Sequence, residues 1–556
     1  MSTHAGRTGW LGYVLVAAVF LAGRAAAASN GPAAQQQDAD LFAQPWESWE
    51  PAVAPFLQNE DRQPVRLSLE ECLARALQYN LDLRVGSYDP AIRLADVTQA
   101  EAAFDAVLFG NAASTWRDES NFDSGFFTKT ITTPAGTQHV KAPSDPYVQS
   151  SDYAYALGLR KRLPTGASLE LAQRLRRFRT DNDALYYHPF YQWNLNLELR
   201  QPLLRDFGID VNRASINVAR NAFAISRQEF TLQVIQTVVR TEGTYWQLVF
   251  LRQQVRVLEA LLREAEVALG RLEERQKLDA GAGVIARNRG LIETARADLV
   301  AARNNVLQQQ DQLLQRLNDP NLPVGGRWEI IPTDPPSLTP YPFDRAEALR
   351  TGLRLRPELI AQGLSVASAA IGVGVARNQV LPRLDLVARQ ETTGAGLTAG
   401  AAWDTQRGYD TINYQAALSF ELPLGNRAAE AALVQARQRR RQEELRLASF
   451  REQVLADVSL ALSELEHTHR EIADRRLAAQ AEGDTLRSYL AQESTDAKIT
   501  ADFLNRKLDA QERLAQAQIR LAQTIFQYNL AILNAHRAQG TLLHYDHVKL
   551  EELPSP

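Results

Sequence analysis

From Tyr191 to Arg200 apolar and polar positions alternate without a break. Tyr191, Trp193, Leu195, Leu197 and Leu199 fall on one side of an extended chain, and Gln192, Asn194, Asn196, Glu198 and Arg200 on the other. A second run repeats the pattern, with Ile412, Tyr414, Ala416, Leu418, Phe420 and Leu422 set against Asn413, Gln415, Ala417, Ser419 and Glu421. Such alternation over about ten residues, with aromatics near one end, predicts strands with lipid on one side and water on the other. A strand of a soluble sandwich also alternates. On the membrane reading, Tyr191, Trp193, Leu195, Leu197, Tyr414, Leu418 and Phe420 face lipid. Weaker partner strands precede each run, at Val107–Trp116 and Leu384–Glu391, and the polar segments 117–151 and 392–410 read as long extracellular loops. The first set carries more. Tyr153, Tyr155, Leu157 and Leu159 alternate, Pro164-Thr-Gly166 turns the chain, and Leu169 and Leu171 start again. This is an inserted hairpin, which either adds two wall strands or projects from the loop.

After each strong strand the period changes. Leu248, Leu251, Val255, Leu258, Leu262, Ala265, Leu269 and Leu272 step by three and four, in a stretch from Ile209 to Leu278 without proline. That is a coiled-coil seam on a helix of roughly 100 Å. Gly281-Ala-Gly283 breaks it, and Ile292, Ala295, Leu299, Ala302 and Val306 return at the same steps. A second long run from Asn426 to Gln492, a break near Ser494–Lys498 and a return from Ile499 to Ala538 repeat the hairpin.

The order helix, strands, long helix, helix therefore occurs twice. The start of each copy aligns as well: Leu77 falls opposite Leu353, Asp82 opposite Glu358 and Leu83 opposite Leu359. The division expected is a signal peptide over 1–28, an extended N-terminal segment over 29–66, a first repeat over 67–318, a Pro-rich linker over 319–342, a second repeat over 343–540 and a tail over 541–556. Arg7, the apolar stretch Leu11 to Ala22 and the small residues Ala25–Ala28 make the export signal. With 45% hydrophobic and 23% charged residues and a net charge of −4, the chain signals neither nucleic-acid binding nor disorder. The one cysteine, Cys72, rules out an intrachain disulfide. No later apolar run is as long as a membrane-spanning helix, so any crossing after export is made by a closed barrel.

Nothing points to catalysis: there is no nucleophile elbow, phosphate loop or metal-ligand cluster, and no cofactor is expected. His467 and His469 do not share a helix face and read as solvated, the better-spaced His544–His547 stretch reads as a polar C-terminal turn, and Arg437–Arg441 reads as a solvated helix face.

This order of features resembles the TolC-like outer-membrane efflux proteins, the outer-membrane component of tripartite efflux and type I secretion systems. The resemblance covers about 67–545. It is carried by Leu67-Ser-Leu-Glu-Glu71 with Ala76-Leu77, Ala348-Leu349, Gln201-Pro-Leu-Leu-Arg-Asp-Phe-Gly208, Glu421-Leu-Pro-Leu-Gly-Asn-Arg427, Thr500-Ala-Asp-Phe-Leu504 and Ala538-Gln-Gly-Thr-Leu-Leu543. It implies a mostly α, α+β membrane protein: a homotrimer whose shared β-barrel continues into a periplasmic α-helical barrel. The trimer would sit in outer-membrane lipid and dock on a periplasmic adaptor and an inner-membrane transporter as a passive exit duct. The helix tips, with Gly281, Ala282, Gly283, Ile499 and Thr500, would meet the adaptor. Lys498, Asp502, Asn505 and Arg287 would form the periplasmic gate. Here the chain departs from the pattern, because Asn505 stands at the second acidic position and Arg287 near the acidic position of the first tip. The alternatives are a periplasmic coiled-coil adaptor, a structural coiled-coil envelope protein or a secreted enzyme. An adaptor, however, has one hairpin and no barrel-type strands.

Overall fold

The computed structural model describes residues 63–120, 126–133, 136–143, 147–181, 189–276, 281–494 and 500–549. The expected signal peptide, most of the extended N-terminal segment, Lys498 and Ile499 lie outside these residues. The chain forms two compact units. Among the described residues the smaller holds Gln63–Arg66 with Leu322–Ile331. Its strand β1 (Gln63–Leu67) pairs with the later strand Trp328–Pro332, around the fully buried Ile330.

The larger unit starts with α1 (Leu69–Tyr79). Ser68 opens it reciprocally: its hydroxyl accepts from the Glu71 amide at 3.2 Å, and the Glu71 carboxylate accepts from the Ser68 amide at 3.1 Å. Helices α2 (Leu81–Gly86) and α3 (Tyr88–Glu101) lead into β2 (Ala106–Ser120). Then come β3 (Phe126–Thr133), β4 (Gly136–Pro143), β5 (Tyr147–Arg162), β6 (Ser168–Thr180) and β7 (Phe190–Pro202). The short α4 (Ile209–Asn212) precedes α5 (Ala214–Glu274) and α6 (Ala282–Leu317). After β8 (Trp328–Pro332) follow α7 (Arg345–Leu355), α8 (Pro357–Gln379), β9 (Arg383–Gly396), α9 (Ala399–Arg407), β10 (Ile412–Glu421), α10 (Arg427–Ser494), α11 (Ala501–Gln539) and α12 (Leu542–Tyr545). One bend recurs where the sequence aligns with itself. Asn80 (φ −62, ψ 120) separates α1 from α2, and Arg356 (φ −63, ψ 120) separates α7 from α8.

Six strands form one sheet in the order β10-β9-β7-β6-β5-β2, every neighbour antiparallel. The inserted hairpin is therefore part of the sheet. Both expected loops hold regular structure. Strand β2 runs on to Ser120, β3 and β4 pair within 117–151, and α9 lies within 392–410. The unbroken β-branched run Thr130-Ile-Thr-Thr133 favours strand despite its threonines.

Helix α5, at 61 residues, spans about 90 Å, and α10, at 68, about 100 Å. The seam foreseen from spacing is buried: Leu248, Leu258, Ala265 and Leu272 on α5, and Ile292, Ala295, Leu299 and Ala302 on α6. Leu504 and Leu508 of α11 join the same clusters, so the hairpins share a core. In the second hairpin Val454, Val458, Leu462 and Leu465 pack on Tyr528, Ala531 and Ile532. The Pro-rich stretch is fixed to these helices by buried tyrosines. The Tyr528 hydroxyl donates to the Thr339 carbonyl at 2.6 Å and accepts from the Tyr341 amide at 3.0 Å. The Tyr245 hydroxyl accepts from the Thr333 and Asp334 amides, each at 3.1 Å. With its helices outweighing the three sheets of the described residues, the fold is α+β and mostly α. Contrary to the expectation from the sequence, one later apolar run is long enough to cross a membrane by length and composition: α8, with 23 residues.

Candidate functional site: an amphipathic sheet and two helix tips

The register extends the alternation of single strands across the sheet. Leu108 lies opposite Leu159, Leu159 opposite Leu171, Leu171 opposite Leu197, and Leu386 opposite Leu418. These residues share a face with Tyr191, Trp193, Leu195, Tyr414 and Phe420, because paired residues point the same way. Much of that face is bare in the chain, Leu418 at 68% and Phe420 at 64% exposure.

The opposite face is a ladder of charge pairs. Arg176 meets Asp152 at 2.6 Å, Arg160 meets Glu170 at 3.1 Å and Arg389 meets Glu198 at 2.6 Å. Asp385 is shared by Arg200 (Nε, 3.1 Å) and Arg383 (Nε, 2.9 Å). Asn194 donates to Glu391, and Asn196 is buried among these residues. A face whose charges are matched laterally is suited to water, and its apolar reverse is not.

Trp193 is the exception on the apolar face. Its ring meets Trp403 of α9 edge-on at 5.1 Å, and its Nε1 donates to the Ala399 carbonyl at 3.0 Å. Gln406 of α9 accepts from Gln173 at 2.9 Å. Gly394 and Gly396 admit the helix: a Cβ on Gly394 would stand 2.1 Å from the Ala402 carbonyl oxygen. Trp193 therefore lies beneath a helix, whereas Tyr414, Leu418 and Phe420 are open.

At the tips Gly281 precedes α6, and Gly281 and Gly283 both face open space. Ala282 begins α6, and Thr500 caps α11 by accepting from the Phe503 amide at 3.2 Å. The expected gate residues are not brought together within the chain. Arg287 pairs with Asp509 at 3.2 Å, Asp502 with Arg506 at 2.7 Å, and Asn505 accepts from Asn288 at 2.7 Å. Lys498 and Ile499 are outside the described residues.

No family model matches the chain. The pyoverdine export outer membrane protein OpmQ of Pseudomonas putida is 27% identical over 346 residues, which is 60% of this chain and 67% of that protein. The solved outer membrane protein VceC of Vibrio cholerae has a TM-score of 0.59 at 17% identity, covering 85% of this chain and 96% of its own. The CmeC outer membrane channel of Campylobacter jejuni has a TM-score of 0.56 at 14% identity, covering 85% and 86%. The chain has the fold of the TolC-like outer-membrane channels.

Within this TolC-like fold, sequence reasoning missed two clusters. The first lies near the tips, where Glu493 of α10 accepts from Arg271 of α5 and from Lys507 of α11, the latter at 2.6 Å. Lys507 is buried between Leu504 and Leu508, and burial together with Arg271 lowers its pKa. Its seam position was the available signal. The second cluster lies where α12 meets α5. Burial pushes Glu242 up to about 7, with nearby Asp546 adding to the shift, and pushes Asp546 up to about 6. Burial lowers His536 to about 4, and its ring stacks on Tyr545 at 4.0 Å. Nothing in the local sequence marks these as buried.

Proposed function

We propose that the protein is the outer-membrane exit duct of a tripartite efflux or type I secretion system. It passively conducts cargo from a periplasmic adaptor and inner-membrane transporter to the outside. The observation that carries this reading is a sheet bare and apolar on one face, ion-paired on the other, and continuous with helices of 61 and 68 residues. A soluble adaptor has no use for the bare face. On this reading the apolar face meets outer-membrane lipid, the charge ladder lines a water-filled lumen, and the helices extend into the periplasm. Three copies close the barrel and the helical tunnel. The division into two repeats, 67–318 and 343–540, with an export signal over 1–28, belongs to the same proposal.

Gly281, Ala282, Gly283, Ile499 and Thr500 then form the adaptor-docking tips. Lys498, Asp502, Asn505 and Arg287 line the mouth, where contacts between copies supply the links absent within one chain. The relative named for pyoverdine export makes export the activity to assay.

The test is direct. Protein from the outer-membrane fraction is expected to require detergent for extraction and to run unboiled as a trimer. A Cβ at Gly281 or Gly283 meets nothing among the described residues, so Gly281→Trp and Gly283→Trp are expected to leave the trimer intact and abolish export. Release by carbonate wash alone would sink the duct reading, and full export by both variants would sink the docking tips.

A further inference from the structure

The two modules contribute unequally to the sheet. Helix α8 leads through β9 and β10 to α10, whereas α3 leads through β2, β5, β6 and β7 to α5. The extra hairpin, β5–β6, is built in along its length: β5 pairs β2 from Ala106↔Lys161 to Ser120↔Tyr147, and β6 pairs β7 from Ser168↔Arg200 to Phe178↔Phe190. Its turn is seated on the exit of β7. Gly166 has φ +96, and a Cβ there would stand 2.3 Å from the Asp206 carbonyl oxygen. The Gly208 amide donates to the Thr165 carbonyl at 3.2 Å, and Arg162 donates to Asn212 Oδ1 at 2.9 Å.

The sheet ends in two edges, β2 and β10, each with no further partner strand among the described residues. Six alternating strands leave these edges antiparallel to each other. Strand β2 exposes Val107, Leu108 and Trp116, and β10 carries one charged side chain, Glu421, at its end. Open edges of this kind template further pairing and do not persist in hydrocarbon. Closure of one chain on itself fails on space. Eight strands already give an interior just filled by side chains, and here the inner face would hold Arg160, Arg174, Arg176, Arg200, Arg383 and Arg389. The occupant of each edge is a second copy.

We propose that β10 of one copy pairs with β2 of the next and that the inserted hairpins are pore wall. Three copies of six strands then give an eighteen-stranded exit. This rests on the trimeric duct proposed above. Three copies of the four strands shared by both modules would give twelve. Barrel diameter grows roughly linearly with strand number, so the hairpins widen the exit by about half. That is an aqueous channel for cargo bulkier than single small solutes.

The seam is tested by cysteine pairs on the apolar face, Ala112→Cys with a cysteine at each of Ile412, Tyr414, Ala416, Leu418 and Phe420 in turn. A Leu171→Cys, Leu197→Cys pair serves as the cross-strand control. Oxidation of detergent-solubilised protein is expected to give linked species that stop at three chains. Links confined to one chain, or no link while the control forms, overturn the seam. Replacing residues 121–189 by a short turn joins β2 directly to β7. That variant is expected to remain trimeric while its single-channel conductance falls to roughly half, following pore area. Unchanged conductance overturns the wall assignment of the hairpin. If the shortened chain does not assemble, the cysteine pairs decide. A chain that links at the seam yet exports nothing would fail the duct reading and leave the eighteen-stranded wall standing.

Discussion

The sheet and the helical body treat charge in opposite ways. On the sheet, acids of the polar face sit beside arginines, and Asp385 has two of them. In the helical body Glu242 is buried, the Trp246 indole donates to it at 3.0 Å, and a second acid lies nearby. The difference is one of pairing. The sheet's acids are matched by guanidiniums, whereas Glu242 is buried without a cation, and a buried acid so placed is better off protonated. The sheet is therefore arranged as a pattern of charge pairs, and the helical body holds buried groups whose protonation folding shifts.

The sharpest way to break the contrast is to put one charge on each face of the same strand. Leu418→Arg places it on the apolar face and is expected to cost about 2–4 kcal/mol if it lies near the bilayer midplane. Ser419→Arg, one residue on, points to the other face and is expected to stay within about 0.5 kcal/mol of the parent. Denaturant unfolding from lipid vesicles measures both, and equal midpoints would dissolve the two-faced reading.

The next effect is smaller and belongs to the helices. Folding holds a proton on Glu242 up to about 7, against an ordinary 4.5, so its contribution is fully present below 4.5 and is lost as pH rises to 7. His536, lowered to about 4 from 6.5, works in reverse, adding stability as pH rises through that interval. Glu242→Gln keeps the acceptor for Trp246 and removes the charge. It is expected to gain about 2 kcal/mol at pH 8 and almost nothing at pH 4.5. Thermal unfolding at the two pH values checks it, and an equal gain at both would show that ionisation is not the cause.

The smallest effect is at the tips. Asp502 and Arg506 are 70% and 65% exposed, so Asp502→Ala is expected to change the stability of the single chain by less than about 0.5 kcal/mol. Yet Lys498→Ala with Asp502→Ala is expected to raise single-channel conductance of the assembled protein. A large stability loss without a conductance change would make this pair structural.

What was legible in the sequence was whatever repeats. Period-two runs placed β7 and β10 and their faces, and steps of three and four placed the α5–α6 seam. Features decided by a single tertiary contact were not legible. Helix α9 has nine residues in a Gly-, Ala- and Thr-rich stretch and is held by Trp193 and Gln173, distant in sequence, over the nearby Gly394 and Gly396. Lys507 is marked in the sequence only by its place between Leu504 and Leu508, and its partner Glu493 comes from another helix. The gate fared similarly: spacing put Lys498 and Asp502 on one helix face, but Arg506, at the next turn, takes Asp502 in the folded chain.

Strand length carries a last consequence. About ten residues suffice to cross the hydrocarbon layer, which β10 has, whereas β5 runs for sixteen and β2 for fifteen. In the proposed barrel the surplus cannot stay in lipid. The wall then rises as an uneven parapet, highest where β2 pairs with β5 and lowest at β10. Antibodies, phages and proteases arriving from outside would meet that crest ahead of the low β10 side.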